Sequence, residues 1–195
     1  MLRSGPIALR PLAYGDGRAW REIRARNAQW LAPWEATVPP GDESAPHTFR
    51  ALVRDLRRQA REGRALPFAV TVEGVFVGQL TVTNIVGGSA RWGQVGYWID
   101  QAQAGKGVMP TAVALVSDHC MREMGLHRIE IAIRPENTAS LRVVEKLGFT
   151  EIGYAPHYLH IDGGWRGHRL FAITAEECPQ GLLRRWKGRA DEQSR

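Results

Sequence analysis

A glycine pair separates a strand pattern from a helix pattern in the segment VGYWIDQAQAGKGVMPTAV, residues 95–113. The strand pattern is apolar, and the helix pattern begins near residue 109 with apolar residues every four positions: Ala112, Val116, Cys120 and Met124. A strand that passes through Gly105-Lys106-Gly107 into a helix presents unpaired backbone N–H groups at the helix N-terminus, which suits a phosphate or pyrophosphate. A plain turn explains the same residues.

Two common nucleotide-binding patterns do not fit this turn. A P-loop has four residues between its first glycine and Gly-Lys, followed by Ser or Thr, and the chain does not match that order. A dinucleotide fingerprint needs a third glycine three residues after Gly107, where Pro110 stands. A phosphate cradle of another kind and a plain turn therefore both remain open.

The whole chain fits a single domain. It has 195 residues, and we expect the domain over 1–187 and a disordered tail over 188–195. The N-terminus lacks the apolar core of a signal peptide, no apolar run approaches the roughly 20 residues that span a bilayer, and the two cysteines lack metal-ligand spacing. We therefore expect a cytoplasmic protein with no membrane partner and no metal.

The net charge of +6 comes largely from two clusters, RDLRRQAREGR (54–64) and RRWKGR (184–189). On a helix the first cluster forms one basic stripe. It indicates either a solvated face or attraction to phosphate-rich ligands such as a ribosome-associated substrate. No sequence pattern supports specific DNA or RNA recognition. His157, His160 and His168 do not indicate a metal site, because a spacing of three on a strand turns the first two to opposite faces.

The coarse order of elements is strands and a hairpin, then strand-helix-strand-helix, then a closing hairpin. Asp16 is predicted to cap a first helix, and a second runs from about Thr48 to Arg61. Strands are predicted at 6–12, on both sides of Glu73-Gly74, at 91–99 and at 127–133. Asn137 is predicted to cap a helix that Gly148 ends, and a hairpin turns at residues 162–164.

Three segments of the sequence stand at the spacing of one known family: 95–113, HRIEIAIRPENTASLRVVEKLGFTEIGY (127–154) and IDGGWRGHRLFAI (161–173). They include Asn-x-x-Ser at 137–140 and Glu-Lys-Leu-Gly-Phe at 145–149. Together with NAQWLAPWEAT (27–37) they resemble the GCN5-related N-acetyltransferases (GNAT), and within them the RimJ-like enzymes that acetylate N-termini of ribosomal proteins. The resemblance covers about residues 5–175. It implies an α+β fold with a mostly antiparallel sheet of about seven strands, a splayed V between the fourth and fifth strands, and about four helices.

The resemblance also implies an acetyl-CoA site. The turn would hold the pyrophosphate through backbone N–H groups, and the free edge of the strand before it would pair with the pantetheine arm. Gly96 suits a bulge that opens this edge. The family commonly has Gln or Arg where this chain has Ala102. The cofactor-binding residues predicted in this way are Val95, Tyr97, Trp98, Ile99, Gln103, Ala104, Gly105, Lys106, Gly107, Val108, Met109, Asn137 and Ser140.

Acetyl transfer to an amine needs a neutral amine, donors for the developing charge and a proton source for the thiolate. An α-amine with a pKa near 8 costs about 1 kcal/mol to deprotonate at pH 7, against roughly 4 to 5 kcal/mol for lysine. Many relatives have a Tyr where this chain has Val144, so Ser140 is the predicted donor to the thiolate. Ser140 could also be only a polar residue near the end of a helix, with no part in the chemistry. Asn137 could be present only as the N-cap of that helix.

Relatives often carry a glutamate base at the position of Gln94, whose neutral amide cannot accept a proton. Glu35, in the proline-rich loop, is the predicted base, and an ordinary surface glutamate is the alternative. Glu130 is expected to pair with an arginine or to order water. The residues predicted to line the acceptor slot are Trp34, Glu35, Gln94, Tyr154, His157, Tyr158 and Trp165.

The function expected from this resemblance is acetyl-CoA-dependent transfer to the N-terminal α-amine of a protein, in particular a ribosomal protein that begins with Ala, Ser or Thr. A deep, negatively lined acceptor pocket would favour acetylation of a small amine or antibiotic instead. A basic protein that binds acyl-CoA or RNA without turnover is the non-enzymatic alternative. Both a monomer and a homodimer are compatible with the sequence.

Overall fold

An eight-stranded sheet runs through the computed structural model in the order β1-β2-β3-β4-β5-β6-β8-β7. The structure describes residues 1–41, 46 and 48–193, with side chains to residue 189. The strands are β1 (Leu2–Ser4), β2 (Ile7–Pro11), β3 (Leu66–Val72), β4 (Val75–Val86), β5 (Trp92–Ile99), β6 (Arg128–Ile133), β7 (Thr150–Ile161) and β8 (Gly164–Thr174). The helices are α1 (Gly17–Arg26), α2 (Ala28–Leu31), α3 (Phe49–Arg61), α4 (Val108–Arg122), α5 (Thr138–Leu147) and α6 (Leu182–Gln193).

Every strand pair in the sheet is antiparallel except β5–β6. This parallel pairing extends only from Trp92↔Arg128 to Gln94↔Glu130. Beyond Gln94, β5 stays paired with β4 as far as Ile99, and β6 stays paired with β8 as far as Ile133. The two strands therefore separate into a V. This confirms the predicted splay, since β5 and β6 are the fourth and fifth of the strands predicted from the sequence.

The predicted bulge at Gly96 is wrong. Gly96 pairs regularly with Thr81, and the irregularity of the β4–β5 ladder lies between Thr83 and Val86 on the neighbouring strand. Asn84 supplies the left-handed conformation there, with φ of 51°, which asparagine tolerates better than most residues. The bulge lies beside the point where β5 leaves β6, and a bulge increases local twist.

Hydrophobic side chains pack on both faces of the sheet. One face holds the larger cluster, in which Val113 and Val116 of α4 pack with Leu80, Val95 and Ile129 of the strands. The other face holds a smaller cluster around Leu12, Ile23, Phe49, Val53 and Phe76, which brings in α1 and α3. Because strand residues alternate between faces, Val95, Tyr97 and Ile99 lie toward α4, whereas Trp98 packs in the smaller cluster.

Most of the predicted boundary signals act as expected. Thr48 accepts a hydrogen bond from the Ala51 N–H, Asn137 accepts one from the Ser140 N–H, and Gly148 ends α5 with φ of 73°. The hairpins turn through left-handed residues at 73–74 and 162–163.

Asp16 differs from its prediction as a side-chain cap of α1. Its carboxylate accepts from the Ala13 N–H at 2.8 Å and pairs with Arg10, so the side chain folds back to β2 and makes no cap hydrogen bond with α1. Strand β1 and helix α6 were not predicted. Helix α6 extends into the expected tail at 188–195, and residues 194–195 lie outside the described part of the chain.

Candidate active site

The glycine turn connects the end of β5 to the N-terminus of α4. Gly105 and Gly107 have φ of 77° and 75°, and Gly107 is the N-cap residue of α4. Both conformations are left-handed, which explains why glycine occupies both positions. Within the described chain, the N–H groups of Gly105, Lys106 and Gly107 make no hydrogen bond to protein acceptors. The turn therefore presents free backbone donors at a helix N-terminus.

A buried carboxylate fixes the start of this turn. Asp100 follows β5, pairs with Arg26, and accepts hydrogen bonds from Asn27 Nδ2 at 2.9 Å and from the Ala102 N–H at 3.3 Å. Asn27 in turn accepts from the Gln101 N–H at 3.0 Å. Burial by itself raises the pKa of Asp100, but these hydrogen bonds outweigh it and leave the pKa below its ordinary value. The junction of α1 and α2 thus holds the turn in place.

Three other residues of the predicted cofactor site can contribute only their backbone groups. Val108 and Met109 are buried in the larger cluster, so only their backbone faces the turn. Trp98 points to the opposite face of the sheet, so it offers the V its backbone edge alone.

Helix α5 begins on the far side of the V. The Asn137 cap accepts the Ser140 backbone N–H at 3.1 Å, which leaves the Ser140 hydroxyl free of the helix end. Val144 is buried in the core, so no polar group stands one turn further along.

Tyr97 reaches toward the first turn of α5 from β5. Its hydroxyl is buried, has no hydrogen-bond partner among the described residues and lies beside the Ser140 hydroxyl. Burial raises the pKa of Tyr97 well above its ordinary value, and the neighbouring Ser140 opposes this only in part.

The proline-rich loop lies against the tip of the β7–β8 hairpin. Ala36 forms a bridge with Ile161, the Thr37 N–H donates to the His160 carbonyl at 2.9 Å, and the Asp162 N–H donates to the Glu35 carbonyl at 3.0 Å. Residues 42–45 and 47 of this loop lie outside the described part of the chain. The loop and the hairpin together form one wall on the sheet face opposite α4.

The Glu35 side chain forms an ion pair with Arg24. Arg24 is itself held over aromatic rings, with its guanidinium carbon 4.6 Å from the Trp20 ring centre and 5.6 Å from that of Trp98. Cation–π contacts of this kind fix the orientation of the guanidinium group. Glu35 is therefore an oriented carboxylate that is paired with a cation.

Arg134, which was not singled out from the sequence, ties the same loop to the end of β6. Its Nη1 donates to the Pro33 carbonyl at 2.7 Å, and its guanidinium carbon lies 5.4 Å from the Trp34 ring centre. Arg-Pro ends the strand pattern in the sequence, but nothing there indicates a contact with residues a hundred positions earlier.

Gln94 and Glu130 lie side by side on the last rung of the parallel pair. Gln94 accepts a hydrogen bond from Asn84 Nδ2 at 3.1 Å. Glu130 pairs with Arg128 at 2.7 Å, which confirms the expected arginine partner. A carboxylate therefore stands next to the Gln94 amide at the apex of the V.

The hairpin residues predicted to line the acceptor slot are largely open to solvent. Tyr154 is 59% exposed and Trp165 is 55% exposed. His157 has φ of 51° and lies where the β7–β8 register shifts, between Ala155 and Leu159. His168, which the sequence offers only as a rejected metal ligand, is buried, and burial lowers its pKa.

None of the described helices is long and apolar enough to cross a membrane. Within the described ranges no three His, Cys, Asp or Glu side chains cluster in a way that could hold a metal ion.

A family model described as an acetyltransferase (GNAT) domain matches residues 7–150. The chain belongs to this family. The fold supports the assignment, because the mixed sheet, its single parallel pair and the V are those of a GNAT enzyme. The protein is therefore a GNAT-type acetyltransferase.

This acetyltransferase has relatives that match over most of its length. It is 34% identical to the ribosomal protein uS5-alanine N-acetyltransferase of Escherichia coli over 85% of this chain and 87% of that protein. It is 29% identical to the probable N-acetyltransferase YjcK of Bacillus subtilis over 92% of this chain and all of YjcK. The solved structure of Mycobacterium smegmatis RimJ in complex with CoA-disulfide superposes with a TM-score of 0.89 at 41% identity, covering 95% of this chain and 90% of that one.

Helix α6 lies outside the range of the family match and packs beside the glycine turn of the acetyltransferase. Asp118 of α4 accepts the Leu182 and Leu183 N–H groups at 2.6 and 3.1 Å and so caps α6. The Trp186 indole N–H donates to Thr111 Oγ1 at 3.0 Å. A side-chain carbon at Gly107 would meet the Trp186 ring at 3.6 Å. The aromatic ring thus forms a wall beside the turn.

Proposed function

We propose that this acetyltransferase transfers the acetyl group of acetyl-CoA to the N-terminal α-amine of a protein, a ribosomal protein that begins with Ala, Ser or Thr. The observation that carries the proposal is the V between β5 and β6. Free backbone N–H groups lie in the glycine turn that follows β5, and Ser140 lies in the first turn of α5, which follows β6. The names of two relatives support the acceptor class, since one is a uS5-alanine N-acetyltransferase and the other is RimJ. Such an acceptor would be met in the cytoplasm.

In this proposal the cofactor lies in the V. The pyrophosphate accepts hydrogen bonds from the N–H groups of Gly105, Lys106 and Gly107, and Lys106 adds a positive charge. The predicted donors Gln103 and Ala104 are already occupied, because their N–H groups donate to the Asp100 and Gln101 carbonyls. The pantetheine arm pairs with the edge of β5 from Val95 to Ile99, which β6 leaves unpaired. The thioester then lies near Ser140, and Asn137 keeps the helix end oriented toward it.

The acceptor enters from the face opposite α4. The wall formed by the loop and the hairpin is open and carries exposed aromatic rings, which suits an extended peptide end better than a small amine that needs enclosure. Glu35 can receive the protonated α-amine, since it is an oriented carboxylate close to this wall. An α-amine needs little help to lose its proton near neutral pH.

The chemistry is direct transfer. The neutral amine nitrogen forms a bond with the thioester carbon, the carbon–sulfur bond breaks, and its electron pair leaves on sulfur. The Ser140 hydroxyl donates a hydrogen bond to this thiolate. Proton acceptance by Glu35 itself would break its ion pair with Arg24, so we assign the proton to a water molecule oriented by Glu35.

Release of the CoA thiol with peptides from the N-termini of ribosomal proteins tests the proposal. We expect turnover with Ala-, Ser- and Thr-initiated peptides and none with N-terminally blocked peptides that offer only lysine. Turnover restricted to small amines, or no thiol release above the peptide-free rate across the panel, would contradict it.

Glu35→Gln tests the acceptor wall. We expect it to raise KM for the peptide and to lower kcat, because the carboxylate that receives the α-amine and orients the water is lost. The matched control is Glu22→Gln, which removes an exposed ion pair with Arg18 on α1. Equal effects of the two substitutions would remove Glu35 from the mechanism.

A further inference from the structure

The Tyr97 hydroxyl is a buried donor that the fold leaves without a partner among the described residues. Folded proteins rarely leave such a group unpaired, because an unmade hydrogen bond destabilises the fold. The phenyl ring is well explained, since it packs with the larger cluster and lies across from Leu80 on β4. The hydroxyl is what needs an explanation.

The position of Tyr97 in the sheet supplies an explanation for this hydroxyl. Tyr97 lies on β5 beyond Gln94, the last residue paired with β6, so it stands inside the V. Its side chain points to the face that holds α4, as do Val95 and Ile99. The hydroxyl reaches the first turn of α5 and lies beside that of Ser140.

The cap of α5 keeps Ser140 available for this neighbour. Asn137 accepts a hydrogen bond from the backbone N–H of Ser140, so the cap does not occupy the Ser140 hydroxyl. A serine hydroxyl has one proton to donate and lone pairs that can accept. If its oxygen accepts from a fixed donor, its own proton is directed elsewhere.

We propose that Tyr97 is a positioning residue for acetyl transfer: its hydroxyl donates to Ser140 Oγ and directs the Ser140 proton toward the thioester sulfur. This inference rests on the proposed function and adds a residue to it. As the carbon–sulfur bond breaks, the electron pair moves to sulfur and the Ser140 hydrogen bond stabilises the thiolate. Tyr97 keeps its own proton throughout.

The environment of Tyr97 fits a permanent donor. Burial raises its pKa, so the phenol stays neutral at every pH at which an α-amine acceptor becomes reactive. It therefore cannot act as a base, and its hydrogen bond does not change with pH in the working range.

The test is a double-mutant cycle with Tyr97→Phe, Ser140→Ala and the double variant, assayed by thiol release with an N-terminal Ala peptide. We expect Tyr97→Phe to lower kcat about tenfold, with KM for acetyl-CoA within about twofold of wild type. In the Ser140→Ala background the same change should have almost no further effect. Tyr14→Phe is the control, since the side chains of Arg50 and Arg57 lie over that ring, and both belong to α3, on the sheet face opposite α4.

Thermal unfolding separates positioning from packing. Because phenylalanine keeps the ring and removes only one hydroxyl with its single hydrogen bond to Ser140, we expect the unfolding temperature of Tyr97→Phe to stay within about 5 °C of wild type. Full kcat in Tyr97→Phe, an equal loss in both backgrounds, a raised KM alone, or an unfolding temperature lowered by much more than about 5 °C would each overturn the inference.

A crystal structure with CoA supplies a readout that needs no turnover. We expect Tyr97 Oη within about 3.2 Å of Ser140 Oγ, with Ser140 facing the sulfur. A tyrosine hydroxyl bonded elsewhere would overturn the inference, whereas an inactive wild type would count against the proposed function alone.

Discussion

Replacing Asp100 with asparagine should both destabilise the protein and loosen the glycine turn. The Asp100 side chain is 7% exposed and joins the α1–α2 junction to the turn through Arg26, Asn27 and the Ala102 N–H. Asparagine has nearly the same shape but carries no charge, and its NH2 group would face at least one of these three donors. The substitution therefore leaves the packing almost unchanged, removes the negative charge and replaces one of the two acceptor oxygens with a donor.

The size of the effect follows from the partners. Each hydrogen bond to a charged group contributes about 1.5–3 kcal/mol. The pair with Arg26 counts for less, about 1 kcal/mol at most, because Arg26 is 56% exposed. We expect a net loss of about 2–4 kcal/mol. For a chain of this length it should lower the unfolding temperature by about 4–16 °C.

The pH dependence gives the prediction a second signature. Burial raises the pKa of Asp100, but its hydrogen bonds lower it further, so the folded pKa lies below the unfolded value. Such a carboxylate stabilises the fold fully above its unfolded pKa, near 4, and loses that contribution as the pH falls through the folded pKa. The difference between wild type and Asp100→Asn should therefore be constant near pH 7 and shrink below about pH 4.

The measurement is thermal and urea unfolding at several pH values, with KM for acetyl-CoA measured alongside. Asp55→Asn is the matched control, because Asp55 also pairs with an arginine, Arg58, and also has a lowered pKa, but is 37% exposed. We expect the control to lose about 1 kcal/mol or less. A loss in Asp100→Asn no larger than the control's, or one that persists unchanged to pH 3, would refute the reasoning.

Three further predictions concern the turn and the thiols. Gly107→Ala and Gly105→Ala should each add about 1–2 kcal/mol of strain at a positive φ and raise KM for acetyl-CoA several-fold in steady-state assays. Trp186→Phe removes the indole hydrogen bond beside the turn, and should weaken CoA binding about two- to fivefold by calorimetry. Burial raises the pKa of Cys120 to about 12 and that of Cys178 to a lesser degree, so the folded protein should barely react with a thiol reagent near pH 8.

A specific result would contradict each of these three predictions. Unchanged KM in both glycine variants would argue against anion binding by the turn. CoA binding that is unaffected by Trp186→Phe would make α6 a purely structural element. Rapid labelling of both cysteines in the folded protein would contradict their burial, and it would also add background to the CoA thiol assay.

Local signals in the sequence account for most of the fold. Thr48, Asn137 and Gly148 act within one helical turn of their own position, so the residue type alone predicts the boundary. The V between β5 and β6 came from the family resemblance, since a short parallel pairing has no signature within either strand. The prediction that Asp16 caps α1 is wrong because an aspartate carboxylate can either cap a helix or pair with an arginine, and Arg10 lies close to it in space.

The missed elements depend on distant contacts. Helix α6 has few apolar residues and contains Gly188, so its sequence reads mainly as a charge cluster, and the Asp118 cap that starts it lies on another helix. Glycine is the usual sequence signal of a bulge and therefore favours Gly96, whereas the left-handed residue is Asn84 on the neighbouring strand.

The candidate site shows the same division between local and distant information. The turn of Gly105 and Gly107 was found because glycine itself reports the backbone conformation. The pairing of Glu35 with Arg24 and the contact of Arg134 with the loop were not found, since both depend on how the loop lies against other elements. Contacts between side chains that lie far apart in the sequence can be identified only from the three-dimensional structure.

The irregular course of β7 bears on the solubility of the protein. As one of the two edge strands of the sheet, β7 has a free edge that could pair with another chain and begin aggregation. Pro156 offers no N–H, His157 breaks the register, and the bridge from Ala36 covers the strand near the hairpin tip. A variant with a straightened β7, lacking Pro156 and His157, would expose a long regular edge, and we expect it to precipitate at concentrations at which the natural chain stays dissolved.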